Sequence, residues 1–199
     1  MRNIEHMVNN NQVSRQPSIK TQVLLCHTSL NIADYFTKIL TRHNGLYDES
    51  FTFTIGLDGQ VYQHFNPLHY SNLFRDERLD SQIISIGLEN VGWVDRKMAQ
   101  GDFFDWKDNI YEGRVIGKLW RGHNKWSEYS NLQIESMLQL TSELITEFHI
   151  KPNFTGNNLP LDDASGFQGV INRSNYYKWY YDLSPAADFE YIMNMIKKM

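Results

Sequence analysis

Two short runs, Val23-Leu24-Leu25-Cys26 and Ile83-Ile84-Ser85-Ile86-Gly87-Leu88, are apolar almost without interruption. Each is bounded by polar residues and is too short for a buried helix, so both read as strands covered on two faces. The segments between them supply the covers. Asn31 is placed to cap a helix whose Ile32, Tyr35, Phe36, Ile39 and Leu40 share one face, and Gly45 stands where that helix would stop. Ser130 and Gln133 match a capping box ahead of Ile134, Met137, Leu138, Leu144, Ile145 and Phe148, the clearest helix in the chain. Ala186 to Met199 suits a last amphipathic helix through Phe189, Ile192, Met193 and Ile196. SFTFTIGLDGQVYQHF alternates about Asp58-Gly59 as a β-hairpin does, and GFQGVI reads as a final short strand. Strands and helices alternate, which predicts an α/β domain with a mixed central β-sheet flanked by helices.

At 199 residues the chain has room for one domain with decorations. Residues 1–20 are polar and Asn-rich and read as an N-terminal arm outside a domain spanning 21–199. From about 93 to 126 the chain is rich in Gly, Trp, Asp and Lys without helical periodicity, so an inserted loop region is expected. Its Trp93, Trp106, Trp120 and Trp126 either line a groove or pin the loop to the core.

A net charge of -4 gives no general attraction to nucleic acid or anionic membranes. A lone cysteine, Cys26, excludes an internal disulfide framework. The first residues lack the apolar centre of a signal peptide, and no run is long enough for a membrane span. The expectation is a chain made in the cytoplasm without a signal peptide, reaching any outside target by lysis or by packaging in a particle.

In order, VLLCHTS, the hairpin FTFTIGLDGQVYQ, SIGLENVGW, KLWRGHNKWSEYSNLQIESM and YYDLSPAADF resemble the zinc-dependent N-acetylmuramoyl-L-alanine amidases, the family of phage endolysin amidases related to peptidoglycan-recognition proteins. The resemblance runs from about Thr21 to the C-terminus, and implies that family's α/β fold. It also implies a zinc held by a histidine ending the first strand, a second histidine late in the chain, and an aspartate or cysteine beyond it. Three protein ligands and an open position for water are what a zinc hydrolase needs.

Matched slot by slot, the pattern is altered. The first ligand falls on Cys26, which reads as a buried apolar side chain or as a thiolate ligand; His27, one residue on, points to the opposite face of the strand. The second falls on Asn172, whose amide oxygen substitutes poorly for imidazole on zinc. Asp182 matches the third, and equally suits the cap of the last helix. Phe51 and Thr52 stand for a tyrosine and a histidine, and Tyr180 for a basic residue that would face an oxyanion. Asn72, with His69 close by, stands for another histidine, while Glu89 keeps the acidic character that ends SIGLE.

The resemblance with these departures implies a catalytically degenerate amidase-like protein, without cofactor, serving as a binding or structural component of a phage particle. Its partners would be virion or assembly proteins reached through the arm, or peptidoglycan in a retained groove. The alternative is an active peptidoglycan amidase, cutting the N-acetylmuramoyl-L-alanine amide bond with zinc on Cys26 and Asp182 and Glu89 as acid/base. A cysteine nucleophile is disfavoured, because Cys26 and His27 face apart.

Overall fold

The computed structural model describes residues 13–96 and 101–199. Along the chain lie β1 (Gln22–His27), α1 (Ile32–Thr41), β2 (Phe53–Ile55), β3 (Val61–Gln63), α2 (Glu77–Asp80), β4 (Ile83–Leu88), β5 (Asp95–Arg96), β6 (Phe103–Phe104), β7 (Ile110–Tyr111), β8 (Val115–Trp120) and β9 (His123–Ser127). α3 (Asn131–Phe148), β10 (Gly169–Asn172), α4 (Arg173–Tyr176) and α5 (Phe189–Ile196) follow. The central sheet has five strands in the order β10-β1-β4-β2-β3. Its first four are parallel to one another, and β3 closes the edge as the antiparallel arm of the hairpin.

Every residue of β1 and β4 is buried, as their continuous apolar character requires. On one face Val23, Leu25, Ile84 and Ile86 pack with Met137 and Leu144 of α3 and Ile192 and Ile196 of α5. On the other, Leu24, Cys26 and Ile171 pack with Tyr35 and Ile39 of α1 and with Phe51. The mixed sheet between helices is the architecture expected from the alternating pattern.

The caps hold these helices in place. Asn31 Oδ1 accepts from the Asp34 amide at 2.8 Å, and Ser130 Oγ from the Gln133 amide at 3.1 Å. Gln133 does not close the box: its amide donates to the carbonyls of Ile55 at 2.9 Å and Glu89 at 3.0 Å, tying α3 to the ends of β2 and β4. α1 stops at Thr41, before Gly45, and a 3-10 turn with His43 and Asn44 left-handed leads to Gly45. Leu40, expected on the buried face, is exposed. α5 is shorter than its apolar pattern, since Asp188 caps it by accepting from the Tyr191 amide at 2.9 Å.

Two other expectations change. The described part of the 93–126 region carries paired β-structure: β5, β6 and β7 form a three-stranded sheet, and β8 and β9 a hairpin. Their strands are short or polar on the exposed side, so alternation is too weak to announce them. Residues 1–12 of the expected arm lie outside the described residues, but the stretch after them is attached. The Ser14 and Ser18 amides donate to the carbonyls of Tyr70 and Leu68 at 2.8 and 2.9 Å. Lys20 is buried and its ammonium donates to the carbonyls of His69 at 2.9 Å and Ser81 at 3.0 Å.

Burial lowers the Lys20 pKa from 10.5 to about 7, against the nearby Asp80 charge that raises it. Between these values the unfolded chain keeps a proton that the folded chain has lost, so folding stability rises with pH. Urea unfolding from pH 7 to 9 is expected to show wild type gaining on Lys20→Met, with a slope approaching ~1.4 kcal/mol per pH unit. Parallel curves would mean that Lys20 stays protonated in its burial site.

Candidate functional site

At the C-terminal ends of parallel strands, backbone direction reverses and side chains of different segments converge. β1 and β10 are in register with Leu25 beside Asn172, which sets Cys26 next to the start of α4 and hence next to Arg173. The segment after α4 returns Asp182 to the same point. Its carboxylate is 1% exposed, and Oδ2 accepts from the His27 amide at 3.2 Å and from Arg173 Nε at 2.7 Å. The Arg173 side chain is 16% exposed, with its guanidinium carbon 4.5 Å from the Tyr180 ring centre and 5.6 Å from that of Phe51. Phe51 reaches this place because residue 87 is glycine: a Cβ there would overlap its ring.

Burial by itself works against the charged guanidinium, but the Asp182 carboxylate opposes it and Arg173 stays above its usual range. Burial also pushes the Cys26 thiol well up, Arg173 opposing and Asp182 adding to the rise. Cys26 is therefore a thiol, not a thiolate. His27 turns to the other face of the sheet, where Nδ1 lies 3.4 Å from the Tyr129 hydroxyl, and burial lowers its pKa to about 4. Base and thiol are separated by the strand itself.

Asn172 is fully buried; its side-chain amide donates to the Asn157 carbonyl at 2.7 Å and its backbone amide to Asn175 Oδ1 at 2.9 Å. Asn172 Oδ1 and Asp182 Oδ1 have no hydrogen-bond partner among the described residues. The donor set at this point is thus one cysteine sulfur, one neutral amide oxygen and one carboxylate already paired with a guanidinium. Zinc requires anionic or imidazole donors, and a dication here would share Asp182 with a buried positive charge. These residues do not fit the metal. Among the described residues no group of three or more His, Cys, Asp or Glu side chains is arranged to hold a metal ion.

The remaining sequence-selected residues are spread out. Glu89 Oε1 and Oε2 accept from the amides of Ile32 and Leu57, each at 2.9 Å, and so join the start of α1 to the β2–β3 turn. Glu89 lines a different cavity, of about 410 Å³, beside Asn31, Asp105 and Tyr111. Thr52 pairs with Ser85, its amide 2.9 Å from Ser85 Oγ. Asn72 is an exposed partner of Asp48, and His69 serves through its backbone carbonyl. Asp182 does not cap the last helix; Asp188 does.

Arg173 and the Trp hairpin carry weight that residue-by-residue matching missed. The only sequence signal for Arg173 is its position directly after Asn172. At the β8–β9 tip, Arg121 Nη1 donates to the Tyr180 carbonyl, and Trp120 and Trp126 pack about Tyr181 at 6.0 and 6.3 Å. Trp93 stacks on His123 at 4.4 Å, while Trp106 is half exposed and donates to the Ser29 carbonyl at 2.7 Å. The tryptophans pin the insertion, and the insertion braces the segment that carries Asp182.

No protein-family model and no curated protein matches the sequence. Among solved structures the chain is similar to the N-acetylmuramoyl-L-alanine amidase LysC from Clostridium intestinale URNW, at 11% identity over 98% of this chain and 94% of that one, with a TM-score of 0.56. It overlaps less fully with the N-acetylmuramyl-L-alanine amidase AmiD from E. coli, at 14% identity, 70% and 48% of the two chains and a TM-score of 0.41. The ectodomain of the Drosophila receptor PGRP-LCa overlaps at 12% identity, 66% of each chain and a TM-score of 0.41. At these identities the likeness is one of fold, and the fold is that of an amidase.

Because the ion pair is buried, removing one partner strands the other. Asp182→Ala and Arg173→Met are each expected to cost ~3–5 kcal/mol, while Arg173→Met/Asp182→Leu stays closer to wild type than either. Urea denaturation of the three variants measures this. Additive losses would show that the two side chains do not depend on each other.

Proposed function

We propose that this chain is an amidase-fold protein that does not hydrolyse peptidoglycan and acts as a binding or structural component. One observation supports the reading above the rest: the Arg173 guanidinium is paired with Asp182, whose Oδ2 also accepts from the His27 amide at the end of β1, where the amidase resemblance would set a metal and its water. A guanidinium offers charge and hydrogen-bond donors, but it has no open coordination position and cannot make a water nucleophilic. The other groups point the same way. Tyr180 covers Arg173 where a free cation would face an oxyanion, and both oxygens of Glu89 hold backbone amides.

The test is metal content combined with activity on the natural polymer. Protein equilibrated with zinc and passed through a desalting column is expected to keep well under about one zinc per chain, the stoichiometry of a structural or catalytic site. Purified sacculi should release no stem peptides. Near-stoichiometric zinc, lost in Cys26→Ala or Asp182→Ala, together with released peptides, would instead establish an active amidase with an atypical metal site.

A further inference from the structure

Beside the buried pair, a cavity of about 150 Å³ opens between α1 and the Tyr180 segment. Its wall carries two cations, Arg173 and Lys38. Arg173 lines this wall, and among the described residues its one side-chain hydrogen bond is made by Nε, to Asp182. Lys38 has no carboxylate within salt-bridge distance among the described residues; its ammonium rests over the Tyr47 ring, 4.8 Å from the centre. The nearby carboxylates are committed elsewhere. Asp182 takes Arg173 Nε, and Glu49, also at the cavity wall, takes Arg75 and the Tyr47 hydroxyl.

We propose that this cavity is a binding site for one small oxyanion, a carboxylate or phosphate group held between Arg173 and Lys38. The inference rests on the non-hydrolytic reading above and gives that reading a ligand chemistry. Size agrees with it. Sites for drug-sized ligands begin at about 300 Å³, and 150 Å³ is room for roughly five waters, enough for one such group or the acidic end of a larger molecule. Charge agrees as well. Burial, Arg42 and Arg173 lower the Lys38 pKa to about 8, with Glu49 opposing, so an anion here relieves a repulsion already present. Planar guanidinium donors beside an ammonium make charge-assisted hydrogen bonds to either group.

Inorganic phosphate and acetate, titrated separately by calorimetry at fixed ionic strength, decide the matter. One of them is expected to saturate a single site, and which one does tells a phosphate ligand from a carboxylate ligand. Lys38→Met, which leaves the Arg173–Asp182 pair intact, is expected to weaken binding at least tenfold. A second readout is acylation of Lys38 followed by peptide mapping, which the binding anion should slow in the wild-type protein. Failure of both anions to saturate, equal affinity in Lys38→Met, or no protection of Lys38 would each overturn the proposal. Zinc content read on the same preparations keeps the two ideas apart. Metal in the protein overturns the non-hydrolytic reading, whereas metal-free protein without anion binding overturns only the anion site.

Discussion

A carboxylate buried at the end of a parallel sheet must be matched, and the match for Asp182 organises the surrounding structure. At about 4 Å, opposite charges attract by ~4 kcal/mol in a medium of protein-like effective dielectric, and desolvating both consumes much of that. The net contribution of the pair is therefore small, but the cost of separating it is large. Arg173 leads α4 and Asp182 closes the loop after it, so the pair fixes where that loop returns to β1. The His27 amide completes the clasp. Tyr180, Tyr181 and Ser184 take their places from it, through the Arg173 ring contact, the Trp120–Trp126 cluster and the Tyr129 hydroxyl that accepts from the Ser184 amide at 3.1 Å.

The parts of the fold legible in the sequence were those governed by local rules. β1 and β4 announce themselves by continuous burial, the β2–β3 hairpin by Asp58-Gly59 and its alternation, and α1 and α3 by caps whose hydrogen bonds are formed. What local rules could not supply is the use of a side chain by a distant segment. Gln133 looks like half of a capping box and instead serves two strand ends; Asp182 looks like a helix cap and instead meets an arginine nine residues earlier in the chain. The 93–126 strands escape for a related reason: they are held by pairing and by aromatic contacts to Tyr181 and His123, not by an apolar face of their own.

The same distinction divides the site. Strand periodicity correctly separates Cys26 from His27, and the structure sets Cys26, Asn172 and Asp182 at one end of the sheet. Glu89, chosen for its acidity at the end of a core strand, is used by two backbone amides and looks into another cavity. Arg173 and Lys38 drew no attention, because a lone basic residue on a helix is ordinarily a solvated charge. Only the return of the Tyr180–Asp182 segment encloses the first, and only the neighbouring guanidinium and Arg42 make the second unusual.

On the proposed reading, a guanidinium stands on the amidase fold in the place of a metal, which changes what the pocket does without abolishing it. Both put positive charge at the mouth of the parallel strands. Zinc also accepts electron pairs, so a bound water loses its proton near neutrality and an amide carbonyl is polarised. A guanidinium accepts none; it donates hydrogen bonds in one plane, and oxygen anions of matching shape are what those donors select. Cys26 lies as a buried thiol in the cluster with Tyr35 and Phe51. On the proposed reading, hydrolysis is lost with the electron-pair acceptor, while recognition of an oxyanion remains because positive charge and a small cavity are all that it requires.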